Sequence, residues 1–252
     1  MTAHPQLSHG AFVALATADP AVVGLVLKGS RAHDGMTRHS DHDLYVVLAV
    51  DSATGLSRFS GRRGAELDLV VVSLTEFRAA GMPPFERYAL ARARIVLDRL
   101  DRLDRLDGSI ARILADKALL DAGEALRTAG TLLDAYVNSL YRSVKNHRDG
   151  QALAARLDAA DSLGFLLELL FTLDLRPRPY HKYLRWELDR HSLPRWDSGV
   201  LPDAVDRISA TGDVGLQRWL FARVEGVAGE AGLGSVPDVW GDDLALMRPD
   251  EP

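Results

Sequence analysis

Three aspartates fall in or at the start of β-rich runs in the first part of the chain. Asp41 and Asp43 open a run that continues Leu-Tyr-Val-Val-Leu to Leu48, and Asp68 interrupts Leu67-Asp-Leu-Val-Val-Val72. Residues two apart on an extended strand project to one face, so the carboxylates of Asp41 and Asp43 are placed to share divalent cations. A charge inside a core-like strand is costly without a partner, an ion or an open edge, and this makes Asp68 a candidate for the same cluster. If the two segments are neighbouring strands, all three carboxylates converge. Hard oxygen ligands favour Mg2+ or Mn2+ over zinc, and Mg2+ is commonly held between a few carboxylates and the phosphates of a substrate. His42 falls on the opposite strand face and reads as a packing or hydrogen-bonding residue.

Upstream, Gly29-Ser30 follows the β-rich run Val22 to Leu27. A glycine lets phosphate oxygens approach the backbone, and the serine adds an amide and a hydroxyl donor. The dipeptide alone says little. Its order says more: a strand, Gly-Ser, the ten residues 31–40, Asp-His-Asp entering a second strand, then an isolated Asp on a third.

These residues need elements to hold them. Ala11 to Ala18 reads as a short helix broken by Asp19-Pro20. Strands are expected at Val22 to Leu27, Asp41 to Val50, Glu66 to Val72 and Ala93 to Leu97, with a polar, glycine-containing loop from Gly29 to Ser40. Ser73-Leu-Thr-Glu76 has capping-box spacing and predicts a helix over 74–80. Pro83-Pro84 breaks the chain before a helical stretch at Phe85 to Leu90. The threefold Leu-Asp-Arg repeat between Leu97 and Asp107 gives no stable apolar stripe and reads as a solvated connector.

From Ser109 onward, apolar residues recur at spacings of three and four, predicting a long amphipathic helix that ends at Asp149-Gly150. A second helix stops before Pro177, and the pair should pack antiparallel. Further helices are expected at Tyr180 to Arg190 and around Ala204 to Ala228. Tyr180, Tyr183 and Trp186 have helical spacing and read as core rather than a stacking platform for bases. The residues from Gly234 onward read as a loosely packed tail. The expected boundaries are therefore 1–107, 108–233 and 234–252.

The ordered pattern resembles the nucleotidyltransferase superfamily that includes DNA polymerase beta and the aminoglycoside nucleotidyltransferases. The resemblance lies in LVLKGSRAHDGMTRHSDHDLYVVL, from Leu25 to Leu48, and ELDLVVV, from Glu66 to Val72. It implies an α+β chain: an N-terminal catalytic domain with a small mixed sheet flanked by helices, then a C-terminal helical bundle. It also implies that Gly29 and Ser30 contact nucleotide phosphates. Asp41, Asp43 and Asp68 would form the catalytic, metal-binding triad for two Mg2+ ions, with Mn2+ as an alternative. Lysine and arginine should neutralise the triphosphate, with Arg31, Lys145 and Lys182 as candidates.

The expected activity is transfer of a nucleoside monophosphate from a triphosphate such as ATP to a hydroxyl of a small molecule. A protein acceptor, in the manner of toxin–antitoxin nucleotidyltransferases, and a nucleotide-binding regulator without turnover are the alternatives. The 252 residues contain no cysteine, which excludes disulfides, thiolate metal sites and cysteine nucleophiles. A formal charge of -5 provides no global basic field, so nucleic acid is not expected as a partner. There is neither a signal-peptide pattern nor an apolar run of the ~18 residues that a membrane span needs. A cytoplasmic monomer or homodimer is expected.

Overall fold

The computed structural model describes residues 7–33, 35–49, 54–61, 63–64, 66–79, 84–100, 109–197 and 199–249. The chain is α+β and divides into two compact units, residues 1–119 and 120–252.

In the first unit, α1 (His9–Ala18) starts at Ser8, whose hydroxyl accepts from the amide of Ala11. It leads into β1 (Val22–Lys28), which a tight turn at Gly29–Arg31 closes. Then come β2 (His42–Leu48), β3 (Leu67–Ser73), α2 (Leu74–Ala79), α3 (Pro84–Ala91), β4 (Arg94–Asp98) and α4 (Ile110–Ala118). The sheet has the order β3-β2-β1-β4. β2 and β3 run parallel, and β1 is antiparallel to both of its neighbours.

Strand alternation sorts the side chains into two layers. One face gathers Leu25, Leu27, Leu44, Val46, Leu67 and Leu69 beneath Phe12 and Ala16 of α1. The other gathers Val23, Val26, Tyr45 and Val47 beneath Leu74 and Phe77 of α2, Leu90 of α3 and Ile110 of α4. Each large apolar side chain so buried contributes about 1.5–3 kcal/mol, which makes these faces the main specifiers of register. A bulge in β1 between Val22 and Gly24 exchanges the faces, and Ile110 sits where a side chain at Gly24 would lie.

The predicted capping box forms at the β3–α2 junction. The amide of Glu76 donates to the Ser73 hydroxyl at 3.1 Å, and the Glu76 carboxylate accepts from the Ser73 amide at 2.8 Å. These bonds hold the Glu76 carboxyl below the usual range, the backbone bond being the largest cause and the hydroxyl bond the next.

The second unit is helical. Its first two helices, α5 (Ala122–Arg148) and α6 (Ala152–Leu173), fold back on each other through Asp149-Gly150-Gln151. Gly150 adopts φ +75°, and the Gln151 amide bonds the Asn146 carbonyl, a Schellman ending that a glycine favours. The hairpin is tied by Ser143 Oγ donating to the Ala155 carbonyl at 2.8 Å and Asn146 to Asp158 at 2.8 Å. α7 (Leu184–Arg190), α8 (Val200–Thr211), α9 (Val214–Glu230), and the short α10 (Ser235–Asp238) and α11 (Leu244–Met247) complete it around Leu166, Phe171, Leu220 and Phe221.

Four expectations change. The single helix from Ser109 is two: Ser109 caps α4, which packs in the first unit, and Asp121 caps α5 afresh. The helix around Ala204 to Ala228 is likewise split, because Gly212 takes a left-handed conformation and Asp213 caps α9. Of Tyr180 to Arg190, only Leu184–Arg190 is α-helical, after a 3-10 turn at His181–Tyr183. Residues 234–249 are not a loose tail, since Leu244 and Met247 enter the helical core and Trp240 packs on Tyr141. Within the predicted connector, Leu97 and Asp98 belong to β4 and Leu100 is buried, while residues 101–108 lie outside the described ones. Pro83 and Ala80 lie outside them too, and Pro84 is the first residue of α3.

Candidate metal centre

The site is built by strand register. β2 and β3 start side by side, with Asp43 opposite Asp68 in the parallel ladder, so both carboxylates rise from the same face at the same end of the sheet. Asp41 lies two residues before Asp43, just outside the strand. Each of the three offers one carboxylate oxygen, and these atoms lie within 4.8 Å of one another. All three residues are partly buried. Oxygens bound to one divalent ion at about 2.0–2.6 Å lie up to about 4–5 Å apart, so this spread fits such a cation.

Gly29 stands directly against the cluster. Its φ is +69°, a conformation that side chains rarely adopt, and a Cβ there would collide with the Asp43 carboxylate oxygen. Only glycine provides both the turn and the room. Ser30, next in the 3-10 turn, is buried at 5% exposure.

The loop back to Asp41 is braced from within. Arg31 donates through Nε at 3.0 Å and Nη2 at 2.7 Å to the carbonyl of Ser40, the residue before Asp41. The Ser40 hydroxyl accepts from the Thr37 amide at 2.9 Å, closing a tight turn. Arg31, expected to meet phosphate, thus fixes the backbone that presents the first aspartate.

His42 behaves as expected of a residue on the far face. Its Nδ1 lies 3.1 Å from the Glu66 carbonyl, and its ring stacks on His9 with centroids 3.8 Å apart. Burial first, then the charges of His42, Arg31 and Arg94, lower the pKa of His9.

Lys145 and Lys182 are residues of the second unit. Lys145 lies on α5 with its ammonium 5.5 Å from the Tyr141 ring centre, and the exposed Lys182 lies 4.6 Å from that of Tyr183.

Sequence reasoning missed three residues beside the cluster. Lys28, the register partner of Asp43, donates to Glu86 of α3 at 2.5 Å. The Tyr45 hydroxyl donates to the same Glu86 oxygen at 2.6 Å. Burial and that bond push the Tyr45 pKa up, so its hydroxyl stays protonated. The signal available was a lysine ending an otherwise apolar strand immediately before Gly-Ser. Its partner sits 58 residues away and belongs to no motif.

No protein-family model and no curated protein matches the chain.

Proposed function

We propose that the chain is a metal-dependent nucleotidyltransferase that moves a nucleoside monophosphate from a nucleoside triphosphate to a hydroxyl of a small molecule. The observation that carries this reading is the convergence of Asp41, Asp43 and Asp68 at the end of two parallel strands, with Gly29-Ser30 against them. Carboxylates grouped this closely repel one another unless cations join them, and a glycine turn beside them suits phosphate oxygens.

In the reaction the acceptor oxygen bonds to the α-phosphorus while the bond from that phosphorus to the bridging oxygen breaks. Pyrophosphate leaves with the electron pair. Asp41 and Asp43 would hold two divalent ions, Mg2+ with Mn2+ as a substitute, and Asp68 would help to hold one of them and would accept the proton of the hydroxyl. When bound, the ions lower the pKa of the acceptor hydroxyl and stabilise charge on the leaving pyrophosphate. Gly29 and Ser30 offer backbone N–H groups to the phosphates, and Arg31 keeps Asp41 in place through Ser40.

The test is calorimetric titration of ATP and GTP, with and without Mg2+, into the wild type and the Asp41→Asn/Asp43→Asn double variant. Binding that needs Mg2+ and vanishes in the variant is expected, followed by pyrophosphate release once an acceptor is supplied. Absence of binding by the wild type overturns the reading.

A further inference from the structure

Lys28 occupies a position that its contribution to stability does not explain. It is the last residue of β1, it precedes Gly29-Ser30, and it pairs in register with Asp43. Alternation puts it on the carboxylate face with Val26, Tyr45 and Val47. Among the described residues it is the one basic residue that β1, β2 and β3 place on that face. Its side chain is 14% exposed, as is that of Glu86, and its ammonium lies 4.7 Å from the Tyr45 ring centre. A largely buried ion pair adds little over an apolar pair of the same volume, because desolvation offsets the attraction. An apolar pair would have continued the layer formed by Val26 and Val47.

What an apolar pair lacks is charge beside the carboxylates. A lone cation at Lys28 would repel metal ions and attract phosphates; a lone anion at Glu86 would do the reverse. Together they cancel, and Tyr45 donates to the oxygen that Lys28 also meets, holding the pair in one geometry.

We propose that Lys28 is a phosphate-binding cation of the nucleotide site, with Glu86 and Tyr45 as the positioning residues that hold it and mask its charge until a triphosphate arrives. The inference rests on the nucleotidyl-transfer reading of the same site. It gives the pair a regulatory effect: the metal cluster forms without interference from a neighbouring cation, and nucleotide phosphates then compete with Glu86 for the ammonium.

The test uses the full chain and two probes: Mn2+ alone, followed by its paramagnetic resonance signal, and ATP at saturating Mg2+, followed by calorimetry. Lys28→Met is expected to tighten Mn2+ and weaken ATP, and Glu86→Gln to weaken Mn2+ and tighten ATP. A unit charge beside a partly exposed site changes each affinity by about tenfold. Lys28→Arg keeps the charge and should retain ATP affinity within about threefold, since the positive charge that acts at this range is preserved. Tyr45→Phe should move both affinities in the direction of Glu86→Gln by a smaller factor. A purely structural pair would weaken both ligands together or neither, and either pattern overturns the proposal while leaving the metal site standing. A wild type that binds neither Mn2+ nor ATP overturns the reading of the site and the proposal with it.

Discussion

Gly29 is the residue at which backbone and chemistry constrain each other most tightly. Its left-handed conformation makes the turn after β1, and the missing side chain leaves space for the Asp43 carboxylate. Replacing it by alanine is expected to cost about 1–2 kcal/mol for the backbone conformation alone. The added methyl must also displace Asp43. The Gly29→Ala variant should therefore show two losses, a lower melting temperature and weaker Mn2+ binding. A variant that melts lower yet binds Mn2+ as the wild type does would show that Asp43 is not held by this contact. Asp41 depends on its neighbours differently, through the Arg31 bonds to Ser40. The triad thus combines one member set by a loop with two set by strand pairing.

At the scale of elements, the β3–α2 junction joins the strand that bears Asp68 to a helix that covers the same sheet face. Its capping carboxylate, Glu76, has a folded pKa below its ordinary 4.5. A depressed carboxyl pKa contributes stability that is present above the unfolded value and lost as pH falls through the folded one. The melting temperature of the wild type should accordingly exceed that of Glu76→Gln at neutral pH. The two should converge below pH 4.5, as the Glu76 carboxyl takes up its proton. A difference that persists undiminished in acid would refute the assignment.

Elements with strong local signals were legible in the sequence. The four strands, this capping box and the glycine ending of α5 follow from alternation, side-chain spacing and a left-handed turn. Others were not. Asp121 and Asp213 restart helices inside patterns that remain periodic, and one aspartate among many gives no sign that it is a cap. α6 ends in a Schellman motif with Leu175 at φ 55°, a position for which its residue type gives no cue. In the site, Asp68 was legible because an acid inside an apolar strand is conspicuous, and Asp41 and Asp43 because their spacing of two at a strand start follows Gly29-Ser30 in order. Lys28 and Glu86 were hidden because their pairing depends on where α3 packs.

For the whole molecule, each unit has its own core, and the carboxylate cluster draws on the first alone. Leu166, fully buried in the second unit, offers a clean separation. Leu166→Ala should destabilise that unit by about 2–5 kcal/mol, as cavities in packed cores do. Well below the transition, Mn2+ affinity should be unchanged. Parallel loss of Mn2+ binding at such temperatures would show that the metal centre needs the helical unit. Among the described residues no helix is long and apolar enough to cross a membrane.

The in-step start of β2 and β3 has a consequence for how this chain can vary. On β2 the odd positions 43, 45 and 47 share a face, and on β3 the even positions 68, 70 and 72 join them. Parity is thus a shared code: Leu67 and Leu69 reach the opposite layer by the same alternation that presents Asp68. One residue inserted inside either strand would turn its leucines into the opposite layer and withdraw a carboxylate in a single event. The same insertion between Leu48 and Leu67 leaves the parity of both strands intact. From β2 to β3, length variation that preserves the carboxylate cluster is therefore confined to that connection, and a sheet that pairs wrongly loses its core and the cluster at once.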